Sequence, residues 1–220
     1  MSSIRTLHTS VRIKMCGMTH RQDIQQAIDL GVNALGVIFY EKSVRYQSMM
    51  QAKALLDGLP PFVDVVAVLV NPEPLFVHQL IQDLPIQCLQ FHGDESPQFC
   101  DQFGFPYVKA LPATSTEEIM LFEKKYSNAQ ALLLDTPSSH RGGSGLTFDW
   151  QMIPKMLTKP LILAGGLHVK NVREAISTCA PYAVDVCSGI EASDGIKDHD
   201  KMKQFVESVW GYNDSRYSSR

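Results

Sequence analysis

Eight apolar stretches of strand length, each followed by a stretch with helical spacing, constrain this chain more than any single motif. The strand-like stretches begin at 11, 34, 64, 88, 107, 131, 161 and 183, so successive starts are 23, 30, 24, 19, 24, 30 and 22 residues apart. Each interval accommodates one strand, one helix and two short connections. Strict alternation of this kind builds a parallel sheet, because parallel neighbours need a crossover and a helix supplies it. Eight units in one chain of 220 residues fit a single compact (β/α)₈ TIM barrel. An open doubly wound sheet is the rival. Eight comparable units, and the lack of G-x-G-x-x-G after the first strand, speak against it.

The local signals agree with that frame. The stretch 64–70, DVVAVLV, is β-branched and almost wholly apolar, as a strand covered on both faces requires. The spacing of Val77, Leu80, Ile81 and Leu84 predicts a helix behind it. Thr19-x-x-Gln22 and Ser115-x-x-Glu118 read as capping boxes, and Ser96-Pro97 as a cap followed by a first-turn proline. Further helices are expected over about 49–56 and 150–157, and along the stripe of Val172, Ala175, Ile176 and Cys179. A loop rich in Ser, Asp and Gly is expected before a last helix that carries Met202, Phe205, Val206 and Val209 on one face. The barrel domain is assigned to 11–212, between flexible tails at 1–10 and 213–220.

Composition narrows the function. A formal charge of −3, with scattered Lys and Arg, excludes a general nucleic-acid binder. No apolar run reaches the roughly 20 residues that span a bilayer, and 1–10 lacks the apolar core of a secretory signal. The cysteines are Cys16, Cys88, Cys100, Cys179 and Cys187, odd in number and without a C-x-x-C pair. Neither a disulfide framework nor a zinc site follows, and a reducing, cytoplasmic location is expected. No exposed apolar stripe is evident, so the chain is expected to be a monomer.

In such a barrel the C-terminal strand ends share one mouth. There the spacing gathers Cys16, Arg45, His92, Asp135, the pair Gly165-Gly166, and Asp185, Ser188 and Gly189. Gly-rich turns after the seventh and eighth strands let backbone N–H groups approach a phosphate. Each residue also has a plainer reading. Cys16 can be a buried small hydrophobe, Asp135 a turn residue, Gly165-Gly166 a tight turn, His92 a loop tether and Arg45 a surface charge. Asp185 faces the mouth only in one strand register. The other four cysteines are expected to pack or to sit near the surface.

With these residues in place, the chain resembles the phosphoribosylanthranilate isomerase family of phosphate-binding (β/α)₈ barrels. The match is carried by 13–19 (IKMCGMT), 36–46 (GVIFYEKSVRY), 90–95 (QFHGDE), 132–150, 163–166 and 184–198 (VDVCSGIEASDGIKD). Val44 stands where the family often has proline, Met18 where isoleucine is usual, and Leu167-His168 where a small polar residue is frequent. The resemblance implies an Amadori rearrangement of N-(5-phosphoribosyl)anthranilate to 1-(2-carboxyphenylamino)-1-deoxyribulose 5-phosphate in tryptophan biosynthesis. Asp135 would act as the acid at the ring oxygen, and Cys16 as the base at C2′. It further implies that Arg45 holds the anthranilate carboxylate, that His92 and Asp185 line the pocket, and that Gly165, Gly166, Ser188 and Gly189 hold the phosphate. Gly143 and Gly145 would lend a loop that closes over the substrate. A small phosphorylated substrate is then the only partner, and the reaction calls for neither cofactor nor metal. Histidine-pathway sibling isomerases use two aspartates, which Cys16 argues against. Indole-glycerol-phosphate synthases need a lysine and glutamate set, of which only Lys109 is evident.

Overall fold

A computed structural model describes residues 10–136 and 149–218. Eight parallel strands close a barrel in sequence order. They are β1 (Arg12–Cys16), β2 (Ala34–Ile38), β3 (Asp64–Leu69), β4 (Cys88–Phe91), β5 (Tyr107–Pro112), β6 (Ala131–Asp135), β7 (Leu161–Leu163) and β8 (Ala183–Val186). The ring closes where β1 pairs with β8, Lys14 opposite Asp185 and Met15 opposite Val186.

The helices between the strands are α1 (Arg21–Asp29), α2 (Met49–Leu56), α3 (Pro74–Asp83), α4 (Pro97–Asp101), α5 (Thr116–Lys125) and α6 (Val172–Cys179), and α7 (His199–Ser218) follows β8. Their starts follow local chemistry. Ser96 accepts the Phe99 N–H with Pro97 in the first turn, and Ser115 accepts the Glu118 N–H. Ser48 and Gln51 form a reciprocal box at α2.

Alternation along the strands sorts the core into two parts. Outward residues such as Ile13, Met15, Leu35, Ala67, Leu89, Leu132 and Val184 meet the helices in one large cluster. The inward set includes Val108, Ala110, Ala131, Leu133 and Ala164, with Cys88 and Ile162 against them. That packed layer plugs the barrel, so chemistry is confined to the layer above it. Met202, Phe205, Val206 and Val209 of α7 are fully buried, as their spacing requires.

Four local expectations are corrected. The helix expected over 150–157 is a short 3₁₀ turn, Trp150–Met152. Pro154 disfavours helical geometry in the residue before it, and Ile153 is extended with φ −71° and ψ 124°. The Thr19–Gln22 box does not form: α1 begins at Arg21 without a side-chain cap, and Thr19 Oγ1 donates to the Gly195 carbonyl instead. The expected loop before the last helix contains a small antiparallel hairpin, β9 (Glu191–Ser193) with β10 (Ile196–Lys197). The helical backbone of α7 runs to Ser218, past the boundary set at 212. No proline follows His199 to end it.

Candidate active site

The site is built from the ends of β1, β4, β6 and β8. Lys14 and Asp185 face inward and bond at 2.9 Å, both buried. Burial opposes charge on Lys14, but Asp185 and Cys16 beside it outweigh that, and its pKa stands above the ordinary lysine value. One layer higher on the same face is Cys16, only 6% exposed. Its neighbour on β2, Gly36, leaves the room it needs: a β-carbon there would lie 2.7 Å from Cys16 Sγ and 3.1 Å from Lys14 Nζ.

Across the mouth, His92 Nε2 lies 3.2 Å from Asp135 Oδ2. These residues follow β4 and end β6, so their contact passes inside the barrel over β5. His92 is held from both sides in sequence. Its N–H donates to the Leu69 carbonyl, and Gln90 Nε2 is 3.0 Å from its Nδ1. With the Gln90 amide as donor, the tautomer that carries its proton on Nε2 faces Asp135. Asp135 Oδ1 accepts the Thr136 N–H at 2.8 Å.

The loop that carries His92 is fixed from below. Lys109, fully buried in β5, donates to the carbonyls of Phe91 and Gly93 and to Glu95 Oε2. Glu95 in turn accepts the N–H groups of Asn71 and Gly93. Every buried charge in this cluster has a partner, as a buried ion pair requires.

Arg45 enters from the β2 loop and is buried. Its Nε and Nη2 grip Glu191 at 2.7 and 2.5 Å, and Asp194 lies 3.7 Å away. Lys197 Nζ reaches the same Glu191 at 2.9 Å. Burial works against charge on Glu191, but Arg45 and Lys197 outweigh it and hold the carboxyl below its usual range. This hairpin cluster of Glu191 and Lys197 was not expected. Its signal lay in the spacing of the two residues on either side of a Ser-Asp-Gly turn.

In the turn after β7, Gly165 has φ +80°, a conformation open to glycine. A β-carbon there would also lie 2.9 Å from Asp135 Oδ1, so glycine is needed to bring this turn against the acid. Gly166 accepts from Asn171 Nδ2 at the start of α6. Ser188 and Gly189 form a 3₁₀ turn, Ser188–Ile190, after β8. All four therefore sit at the same end of the barrel as Cys16 and Asp135. Gly143 and Gly145 lie outside the described residues.

Cys187 departs from expectation. It follows β8 opposite Cys16, one residue beyond the Met15–Val186 pairing, rather than packing elsewhere. Asp185, expected at the pocket wall, bonds Lys14 one layer below.

A family model described as N-(5'phosphoribosyl)anthranilate (PRA) isomerase matches residues 13–208. The chain belongs to the phosphoribosylanthranilate isomerase family. The N-(5'-phosphoribosyl)anthranilate isomerase of Legionella pneumophila strain Philadelphia 1 is 57% identical over 202 residues, which is 91% of this chain and 98% of that protein. The phosphoribosyl anthranilate isomerase of Thermotoga maritima superposes with a TM-score of 0.85 at 39% identity, covering 91% of this chain and 99% of that one. A crystal structure of phosphoribosyl anthranilate isomerase in complex with reduced 1-(o-carboxyphenylamino)-1-deoxyribulose 5-phosphate superposes at 0.82 with 36% identity, covering 91% of this chain and 99% of that one. Membership accounts for the closed eight-strand barrel. Among the described residues, no helix is long and apolar enough to cross a membrane.

Proposed function

We propose that this chain isomerises N-(5-phosphoribosyl)anthranilate to 1-(2-carboxyphenylamino)-1-deoxyribulose 5-phosphate by general acid–base catalysis. The observation that carries the reading is an inward-facing thiol, Cys16, at the same mouth as the His92–Asp135 pair. The reaction needs an acid at the furanose ring oxygen, so that the ring opens to a Schiff base. It then needs a base at C2′, so that an enolamine forms and tautomerises to the ketone. Asp135 is the acid and His92 holds its carboxyl in place; Cys16 is the base. Each such group is typically worth about 10²–10⁴ in rate.

The phosphate is assigned to Gly165, Gly166, Ser188 and Gly189, with Gly143 and Gly145 on the loop that closes over it. Anchoring a remote phosphate positions the reacting carbons. Arg45 spends Nε and Nη2 on Glu191, so the substrate carboxylate is met from its Nη1 edge. Asp185 acts through Lys14, whose ammonium it holds beneath the thiol. The chain is assigned as a monomer, and the free thiols suit the cytoplasm.

The test is turnover of freshly formed phosphoribosylanthranilate, followed by loss of anthranilate-type fluorescence. Robust turnover to the aminoketose is expected. No turnover, together with activity on a different aminoaldose phosphate, would replace the substrate assignment.

A further inference from the structure

The β1–β8 register pairs Lys14 with Asp185 and Met15 with Val186. Continued by one residue it sets Cys16 against Cys187, and alternation turns both into the barrel. The second thiol is packed among cations. Lys197 Nζ lies 3.9 Å from Cys187 Sγ and donates to the Cys187 carbonyl at 3.1 Å. Gly17, at φ +71°, is the point where Arg45 and Cys187 converge: a β-carbon there would lie 2.6 Å from Arg45 Cδ and 2.9 Å from Cys187 Sγ.

The charges around the two thiols can be counted. Lys14 comes from β1, Arg45 from the β2 loop and Lys197 from β10. Asp185 lies on β8, Glu191 on β9 and the exposed Asp194 at the hairpin turn. Three buried cations face two buried carboxylates, and Asp194 is 79% exposed. The buried set carries one uncompensated positive charge, which one thiolate neutralises.

We propose that Cys16 and Cys187 act as a single thiol–thiolate pair, in which Cys187 stores the anion and is the positioning residue that frees Cys16 to act as base. The proposal rests on the reading of Cys16 as the base. At rest Cys16 S–H donates to the Cys187 thiolate. Transfer of that proton along the hydrogen bond leaves Cys187 as thiol and Cys16 as thiolate. Cys16 then takes the C2′ proton. The pair regains its resting state when one proton passes on to the product or to water, so protons balance over the cycle. The electrostatics agree: the facing Cys16 thiol, against burial and with Lys197 and Arg45 assisting, pulls Cys187 down to about 7. The facing Cys187, together with burial and against the pull of Lys14, pushes Cys16 up.

The experiment pairs two readouts on the intact chain, for wild type, Cys187→Ser and Cys16→Ala. One is thiolate absorbance near 240 nm against pH without substrate. The other is kcat/KM against pH. Cys88, Cys100 and Cys179 are each pushed up to about 12, chiefly by burial, so they stay silent below pH 10. Wild type should gain one thiolate near pH 7, and the acid limb of kcat/KM should follow it. In Cys187→Ser both should move up by more than one pH unit. That costs about tenfold or more at pH 7, one pH unit being tenfold in thiolate fraction, with activity recovering near pH 9. The pair is overturned if no thiolate forms below pH 8, or if Cys187→Ser lowers kcat/KM equally at every pH or leaves the limb unmoved. A normal titration with full activity in Cys16→Ala would instead remove Cys16 as base.

Discussion

At the scale of single residues, the account turns on groups whose neighbours decide their chemistry. His92 has no surface role: Gln90 takes its Nδ1 and Asp135 its Nε2. In the proposed mechanism it fixes the direction of the Asp135 carboxyl, 3.2 Å away. His92→Asn keeps a polar side chain but loses the ring nitrogen that reaches Asp135. We expect kcat to fall by about 10- to 100-fold, less than the ~10²–10⁴ carried by a general acid itself. Steady-state kinetics with circular dichroism as a fold control would check this; an unchanged kcat would remove His92 from the acid's environment. Cys187 shows why part of the site was not legible in sequence. Nothing local distinguishes it from Cys88, Cys100 or Cys179. Its role comes from a pairing between β1 and β8, strands at opposite ends of the chain, and register of that range is not written in either strand alone.

At the scale of elements, the β4 loop is held by a lysine inside a strand. Lys109 sits fully buried in β5 and bonds Glu95, 2.8 Å away, along with two carbonyls of the loop that bears His92. Removing one member of a buried pair strands the other. Lys109→Met should therefore destabilise the fold by about 3–5 kcal/mol, read as a lower midpoint in urea. Adding Glu95→Gln should recover part of the loss, since the charge left unpaired is gone. Equal destabilisation in the single and double variants would mean that the lysine works by packing alone. Elements with strong local signals were legible: β3 by its β-branched run, α4 by Ser96-Pro97, α7 by its apolar face. The misread ones were settled by context. Pro154 restricts the segment after Trp150 to one 3₁₀ turn. Thr19, which reads as a helix cap, is drawn instead to the Gly195 carbonyl of the hairpin.

At the scale of the molecule, eight similar units close into one barrel with a plugged interior. Inward residues of non-adjacent strands then meet at one end. The alternation of apolar runs carried that architecture in the sequence, and the strand ends named the residues at the mouth. What the sequence did not carry was which of those residues bond each other. Arg45 with Glu191 and Lys14 with Asp185 are joined only by closure of the ring, and His92 with Asp135 only by the curvature that carries β4 and β6 inward past β5. The central claim is that Cys16 and Asp135 divide the proton transfers between them, base and acid. The most direct test is turnover of phosphoribosylanthranilate by Cys16→Ala and Asp135→Asn beside the wild type, with product binding measured on all three. The account predicts a loss of about 10²–10⁴ in kcat for each variant, with the product still bound. Near-wild-type turnover in either variant would contradict that division of labour.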